Sequence, residues 1–158
     1  MQQIIYREGS LELLEEVKPL WESLNQHHEV NSQHFAHQFR ANSFESRQRK
    51  FLQCQQVRVD LVEDQCMGEV VAYCITTVTN DLTGEVDSLY IKQRYRNLGI
   101  GESLMTKALV WLEDNKVKKK IIGVAEGNES VLAFYQRFHF YPRLVLLEEI
   151  GMENLLDG

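Results

Sequence analysis

The stretch that decides the fold is residues 88–103, which read SLYIKQRYRNLGIGES. It begins in a β-rich segment, passes through a short basic loop and opens a helix at Gly99 to Gly101. Glycines let the backbone approach a ligand closely, and the first N–H groups of a helix have no partners within it, so they can point at an anion. The loop also carries three basic residues, Lys92, Arg94 and Arg96. The pattern predicts a phosphate-binding turn; the alternative is a helix start whose glycines serve packing.

Periodicity outward from this stretch predicts alternating strands and helices. Strand patterns lie at residues 2–7, 57–62, 69–79, 85–91, 118–125 and 144–150. Helical patterns lie at residues 10–24, 31–53, 101–112 and 130–138, although Pro19 is expected to kink or break the first. The short connections between residues 57 and 91 favour an antiparallel meander, and the helix after it is long enough for a parallel crossover. We therefore predict an α/β (α+β) fold with a mixed, mostly antiparallel central sheet and helices on both faces.

A second informative stretch, NESVLAFYQRFHF at residues 128–140, follows a predicted strand and opens a helix. Its Tyr135 lies on an amphipathic helix beside Phe134 and Phe138. Taken alone, this pattern is more typical of a core tyrosine than of a catalytic one.

The two stretches together resemble motifs A and B of the GCN5-related N-acetyltransferase (GNAT) superfamily. The first matches that superfamily's Gln/Arg-x-x-Gly-x-Gly/Ala signature through Arg96, Gly99 and Gly101. The second is similar to its Asn and Ala-x-x-Phe-Tyr-x-x-x-Gly-Phe pattern, with matches at Asn128, Phe134, Tyr135 and Phe140, and with His139 where most members have glycine. The specific resemblance spans residues 85–141. It implies a GNAT-like acyl-CoA N-acyltransferase fold, expected as a single N-acetyltransferase domain over residues 1–158.

This resemblance implies a co-substrate, acetyl-CoA, and a set of residues that bind it. The pantetheine arm would pair with the main chain of Leu89, Tyr90 and Ile91, and an N–H of this edge would face the developing oxyanion. The pyrophosphate would bind the side chain of Arg96 and the N–H groups of one turn, made of Arg96, Asn97, Leu98, Gly99, Ile100 and Gly101. Asn128 would hydrogen-bond the pantetheine region, and Tyr135 would protonate the departing thiolate.

The acceptor amine needs a base, because an alkyl ammonium has a pKa of about 10 and must lose a proton before it attacks a thioester. Glu85 and Asp87 share one face of their predicted strand by alternation, so either carboxylate is a candidate. A water relay and deprotonation of the substrate itself are the alternatives. A solvated or salt-bridged strand face would explain the same pair without chemistry.

The favoured interpretation is an N-acetyltransferase that moves an acetyl group from acetyl-CoA to a primary amine of a small molecule, or of a peptide, by direct attack in a ternary complex. None of the cysteines falls within either motif, which disfavours a covalent enzyme intermediate. The main alternative is an acetyl-CoA-binding regulatory or sensor module without transfer activity. A third interpretation has a longer acyl group on the coenzyme.

Composition limits the partners. Among 158 residues, 17 are Lys or Arg and 23 are Asp or Glu, and the net charge of −6 disfavours nucleic acid and anionic membranes while permitting a cationic acceptor. The sequence has no CxxC spacing, no apolar run of about 20 residues and no signal-peptide pattern, so we expect a cytoplasmic protein with reduced thiols. The apolar residues 144–147 could finish the sheet or meet a partner chain, which leaves a homodimer possible.

Two polar clusters have ordinary structural explanations. The histidines lack a Cys or HExxH pattern, so no metal site is predicted at His27, His28, His34 and His37. A cationic run follows a predicted helix, where it complements the helix dipole, at Lys116, Lys118, Lys119 and Lys120. In the superfamily that this sequence resembles, the N-terminal helices cover the acceptor site. The resemblance therefore implies three candidates for the lining of that site: Trp21, Glu22 and His28.

Overall fold

The computed structural model describes residues 2–157, within which a five-stranded sheet has the order β1-β2-β3-β4-β5. The strands are β1 (Ile4–Gly9), β2 (Gln56–Asp64), β3 (Glu69–Val78), β4 (Thr83–Ile91) and β5 (Lys119–Ile122). The first four are antiparallel neighbours, whereas β4 and β5 are parallel. The predicted mixed, mostly antiparallel sheet is confirmed.

Helices cover both faces of this sheet, as predicted. They are α1 (Leu14–Asn31), α2 (Ala36–Ala41), α3 (Phe44–Leu52), α4 (Ile100–Asp114) and α5 (Leu132–Gln136). The apolar residues of α1 and α3 form one core cluster with β2 and β3, which includes Val17, Trp21, Phe44, Val59 and Ile75. The apolar residues of α4 form a second cluster on the other face, which includes Ala72, Cys74, Val86, Leu104 and Met105. Burial of these two apolar faces is the main force that holds the layers together.

Helix α1 runs without interruption through Pro19, so of the two expected effects of this proline, a kink or a break, the break does not occur. Pro19 removes one backbone N–H donor from the second turn, but Val17, Leu20 and Trp21 are buried against the sheet on either side of it. The apolar burial of three large side chains outweighs one missing hydrogen bond.

The predicted last strand is also wrong, because residues 140–151 have no regular secondary structure. A strand requires a hydrogen-bonded neighbour, and among residues 2–157 the strand β5 pairs only with β4. The apolar run that suggested the strand is instead solvent-exposed; its members are Leu144, Val145, Leu146 and Leu147.

Two irregularities of β4 create an opening in the sheet. Val86 pairs with Thr76 and Ser88 with Ile75, so Asp87 is an extra residue that forms a β-bulge. Pairing between β4 and β5 ends at Val86 and Ile122, although β4 continues to Ile91. A gap therefore opens beside the second half of β4.

Candidate active site

A cleft occupies the gap where β4 and β5 stop pairing. It encloses about 390 Å³, including the part open to solvent. It is lined by Leu24, His28, Val86, Asp87, Ser88, Leu89, Ile122, Gly123, Ala125, Asn128, Val131 and Tyr135. Five residues predicted from the sequence therefore meet in one place: His28, Asp87, Leu89, Asn128 and Tyr135. A wider surface hollow beside α4, between Arg58 and Trp111, contains none of the predicted residues.

The turn at residues 96–101 presents a row of free N–H groups. Asn97 and Gly99 adopt left-handed backbone conformations, with φ of 64° and 83°, and Gly99 caps the 15-residue helix α4. Across the described residues, no N–H group from Asn97 to Glu102 donates a hydrogen bond within the protein; the next one, of Ser103, donates to the Gly99 carbonyl at 3.1 Å. Such a row at a helix N-terminus fits an anion such as a pyrophosphate.

Gly101 has a packing role in the same turn. A Cβ atom there would lie 3.3 Å from both Ile91 Cδ1 and Phe134 Cζ. The small residue therefore lets α4 approach the end of β4 and α5 closely. The packing explanation of the glycines holds at this position, while the free N–H groups beside it remain available to a ligand.

Tyr95, just before the turn, and Arg96, its first residue, anchor it. Tyr95 is fully buried, and its hydroxyl donates to Asp64 Oδ2 at 2.7 Å, a hydrogen bond that lowers the pKa of Asp64. Arg96 Nε donates to the Ile91 carbonyl at 2.8 Å, and its guanidinium lies 5.6 Å from the Tyr90 ring centre. The side chain of Arg96 is therefore tied to the end of β4. The sequence could not reveal the anchoring role of Tyr95, because Asp64 lies 31 positions earlier in the chain, at the end of β2.

Asp87 and Glu85 share one face of β4, and α3 supplies cations to both. The Asp87 carboxylate is completely buried; its Oδ1 accepts from Arg47 Nη2 at 2.9 Å and from Lys50 Nζ at 2.7 Å. Glu85 is 22% exposed and accepts from Lys50 Nζ at 2.8 Å. Burial alone would lower the pKa of Lys50, but its two carboxylate partners outweigh burial and raise that pKa.

The two candidate bases differ in position: Asp87 belongs to the cleft lining, whereas Glu85 does not. Sequence reasoning missed Arg47 and Lys50 as members of the site. Both belong to a polar helix that lies some 35–40 positions earlier in the chain, and no spacing rule links it to β4.

Tyr135 and His28 face the cleft from opposite sides of the sheet's opening. Burial, with a smaller contribution from Cys74, raises the pKa of Tyr135 to about 12. Its ring packs edge-on against the ring of Phe134, with 5.3 Å between the two ring centres. The Nδ1 atom of His28 is buried and has no hydrogen-bond partner among residues 2–157, and burial lowers its pKa. Of the three candidates for the acceptor lining, only His28 reaches the cleft: Trp21 is buried against Phe44, and Glu22 is exposed.

A cluster of hydrogen bonds, which we call the joint, connects the segment after α1 to the loop after β5 and so links the two sides of the cleft. Glu126 Oε1 accepts from Ser32 Oγ at 2.7 Å and from the His34 N–H at 2.8 Å, while Oε2 contacts His34 Nδ1. These hydrogen bonds lower the pKa of Glu126 to about 2. Gly127, at φ 89°, packs directly on the Asn31 carbonyl. This joint, formed by Ser32, His34, Glu126 and Gly127, fixes the position of Asn128.

Two further features concern metals and membranes. Within residues 2–157, no group of three His, Cys, Asp or Glu side chains is arranged to hold a metal ion. In the same part of the chain, every helix is too short or too polar to span a bilayer.

Comparison with known proteins agrees with this geometry. A family model described as the acetyltransferase (GNAT) family matches residues 14–140. The chain therefore belongs to the GNAT acetyltransferase family, a family of acyl-CoA N-acyltransferases. The motif resemblance in the sequence is thereby confirmed.

Solved structures share the fold at low sequence identity. A protein of Pyrococcus furiosus described as an acetyl transferase is 18% identical, with a TM-score of 0.73 over 93% of this chain and 99% of its own. The aminoglycoside N-acetyltransferase AAC(6')-Iy, solved with CoA, is 11% identical, with a TM-score of 0.66 over 94% of this chain and 96% of its own. A ribosomal-protein-alanine N-acetyltransferase of Brucella melitensis biovar Abortus 2308 is 16% identical, with a TM-score of 0.63 over 93% of this chain and 99% of its own.

Proposed function

We propose that this protein transfers an acetyl group from acetyl-CoA to the primary amine of a small molecule, by direct attack in a ternary complex. The observation that carries the proposal is the cleft itself, because a partly buried phenol, Tyr135, and a buried carboxylate, Asp87, line it together. Family membership and the fold shared with a CoA-bound aminoglycoside acetyltransferase support the same chemistry.

The chain offers a fitting place for the coenzyme. The free N–H groups between Asn97 and Glu102 would hold the pyrophosphate, and the dipole of α4 would strengthen that contact. The main chain of Leu89, Tyr90 and Ile91 and the side chain of Asn128 would bind the pantetheine arm along the cleft. When bound, acetyl-CoA supplies the activated acyl group as a thioester.

Asp87 is our candidate for the group that receives the amine proton, directly or through a water molecule. It lines the cleft, and its Oδ2 is the less engaged oxygen, since the contact from Arg47 Nε to that atom is 3.4 Å long. Glu85 lies outside the cleft lining and would act on Asp87 only through their shared partner Lys50. His28, whose pKa is lowered by burial, would offer an uncharged nitrogen to the acceptor.

Tyr135 is our candidate for the acid that protonates the departing thiolate. Because burial raises its pKa to about 12, the phenol keeps its proton throughout the pH range in which amines are acetylated. A protonated phenol beside the sulfur is what this step requires.

The test is an assay of thiol release from acetyl-CoA over a panel of polyamines, aminoglycosides and peptides with free N-termini, combined with calorimetry of coenzyme binding. We expect amine-stimulated release, strongest with small amines. Tyr135→Phe should lower kcat about 100-fold and leave the Kd for coenzyme A unchanged. The matched control is Tyr141→Phe, because Tyr141 is exposed and lies outside the cleft. Tight coenzyme binding without thiol release for any amine would instead indicate a sensor module.

The base is tested with the amide variants Asp87→Asn and Glu85→Gln, each measured as rate against pH. We expect Asp87→Asn to remove the acid limb of the profile and Glu85→Gln to retain it. Unchanged profiles for both variants would reject a carboxylate base and favour a route through water or His28.

A further inference from the structure

Four buried polar side-chain atoms have no hydrogen-bond partner within residues 2–157, and all lie on the face of the sheet that α1 and α3 cover: His28 Nδ1, Tyr73 Oη, Thr77 Oγ1 and Ser88 Oγ. His28 belongs to α1, and Tyr73 belongs to the core cluster that α1 and α3 form with the sheet. Ser88 lies opposite Ile75 of the same cluster. Thr77 lies opposite Glu85, whose carboxylate contacts α3. Buried polar groups are normally paired, so unpaired ones indicate a place that a ligand or a water molecule completes.

Two of these atoms line the cleft, and a third lies behind them. His28 and Ser88 belong to the cleft lining, on α1 and β4. Burial raises the pKa of Tyr73, and the neighbouring Ser88 hydroxyl partly opposes that rise, although no hydrogen bond of normal geometry joins the two hydroxyls. Thr77 lies near Cys54 instead, outside the lining. The unused hydrogen-bonding capacity therefore concentrates where Ser88 and His28 border the cleft.

These groups are uncharged, which restricts what they bind. Burial lowers the pKa of His28, so its ring is neutral at pH 7, with one nitrogen that donates and one that accepts. An ammonium only donates and a carboxylate only accepts, whereas a hydroxyl does both. When the ring proton is on Nε2, one ligand hydroxyl can accept from Ser88 Oγ and donate to His28 Nδ1, while Tyr73 donates to Ser88 Oγ. A single hydroxyl thus pairs all three groups.

The charged groups on the same face leave no position for a second charge on the ligand. Lys50 binds both Glu85 and Asp87, and Arg47 binds Asp87 as well. Two carboxylates and two cations therefore neutralise one another. The second ammonium of a polyamine, or the carboxylate of an amino acid, would have to break one of these salt bridges, which is costly at the buried Asp87. An uncharged hydroxyl requires no such exchange.

We propose that the acceptor is an amino alcohol, in which neighbouring carbons carry the amine and a hydroxyl, and that Ser88 and His28 select it by binding that hydroxyl. This inference rests on the proposed function, in which Asp87 receives the amine proton. Asp87 and Ser88 are consecutive residues, whose Cα atoms are about 3.8 Å apart, so the nitrogen and oxygen that they bind must be close together. Linear amino alcohols and amino sugars both meet this requirement. Tyr73 is a positioning residue, because it acts through Ser88.

The test compares matched amines on the full-length protein: 2-aminoethanol against propylamine, which has a methyl group in place of the hydroxyl, and glucosamine against cyclohexylamine. The readouts are kcat/KM per neutral amine and, by calorimetry, the Kd for binding to the coenzyme A complex. We expect the unmodified protein to prefer the hydroxylated member of each pair about 100-fold in kcat/KM, because propylamine would leave the buried groups unpaired.

Three variants locate the cause of this preference. Ser88→Ala and His28→Phe should each reduce it about tenfold; phenylalanine keeps a ring against Phe39, whose centre lies 5.2 Å from that of His28. Tyr73→Phe should reduce it less, about threefold, since Ser88 is retained. The matched control is Thr77→Val, which removes the unpaired hydroxyl outside the cleft and should leave the preference unchanged. The preference is a ratio of two rates, so a general loss of folded protein does not alter it.

Each result decides between the proposals. Equal rates and equal affinities for the two members of each pair would overturn the inference and leave the transferase function standing. A preference that survives both Ser88→Ala and His28→Phe would also overturn it. Absence of thiol release with every amine would contradict the transferase function, while the calorimetric comparison would still decide whether the cleft selects a hydroxyl. Coenzyme A affinity, measured for every variant, checks that each one folds.

Discussion

The two sides of the cleft present different chemical groups, main-chain groups on one side and charged side chains on the other. The side proposed to bind the coenzyme (the cofactor side), meaning the end of β4, the turn at residues 96–101 and Asn128, presents mostly main-chain groups. The side proposed to bind the acceptor (the acceptor side), meaning the C-terminal half of α1, α3 and the carboxylates of β4, consists of side chains, among which α3 and β4 are joined by salt bridges. A site made of main chain is specified by a short contiguous motif, whereas a site made of side chains depends on which elements the fold brings together.

The joint between the two sides should show the largest effect. Gly127→Ala adds a Cβ that collides with the Asn31 carbonyl at a position with φ of 89°, so we expect a loss of about 3 kcal/mol in the free energy of unfolding. Gly68→Ala is the control, because Gly68 also has positive φ (64°) but nothing lies near its Cβ; it should lose only about 1 kcal/mol. Equal losses, measured by denaturant unfolding, would show that the joint is not tightly packed.

On the acceptor side, Asp87→Asn should cost about 2–3 kcal/mol of unfolding free energy, because it leaves Arg47 and Lys50 without their buried anionic partner. Glu85→Gln is the matched variant on the same lysine; it should cost less than about 1 kcal/mol, since Glu85 is partly exposed. Urea titrations of both variants check this. A larger loss for Glu85→Gln would contradict the view that Asp87 organises this side.

The joint also predicts a pH dependence. The pKa of Glu126 is about 2 in the folded protein and 4.5 ordinarily, so its hydrogen bonds stabilise the fold above pH 4.5 and lose that contribution as the pH falls toward 2. Glu126→Gln should be less stable than the unmodified protein by about 1 kcal/mol at neutral pH, after allowance for solvent screening. The difference should shrink between pH 4.5 and 2. A difference independent of pH in thermal unfolding would contradict the assigned cause.

The smallest effect concerns the departure from the family pattern at His139. His139 adopts φ of 69° after α5, and the N–H groups of His139 and Phe140 still bond back to Gln136 and Tyr135, so the turn forms without glycine. His139→Gly should therefore stabilise the fold by about 0.5–1 kcal/mol. Arg137→Gly is the control and should destabilise, because Arg137 is helical at φ −62°. A loss of stability in His139→Gly would mean that the histidine side chain has a role of its own.

Sequence reasoning selected more of the residues on the proposed cofactor side of the cleft than on the proposed acceptor side. Gly99 and Gly101 lie in one contiguous turn, and Tyr135 lies in one short helix, so local patterns sufficed to select them. Sequence reasoning did not select Arg47, Lys50 and Glu126, because each of them contacts a partner at least 35 positions away along the chain. The last strand was mispredicted, since alternation and β-propensity describe a segment but not its neighbour.

By itself, the sequence determined the sheet's meander, the parallel crossover and the position of the glycine turn, because hydrophobic period and backbone freedom are local properties of the chain. Only the tertiary structure decided that β4 carries a bulge at Asp87, that its pairing with β5 stops at Val86, and that two cations of α3 contact the carboxylates of β4. These features depend on distances between segments that are remote in sequence, and such distances are set by packing of the whole core.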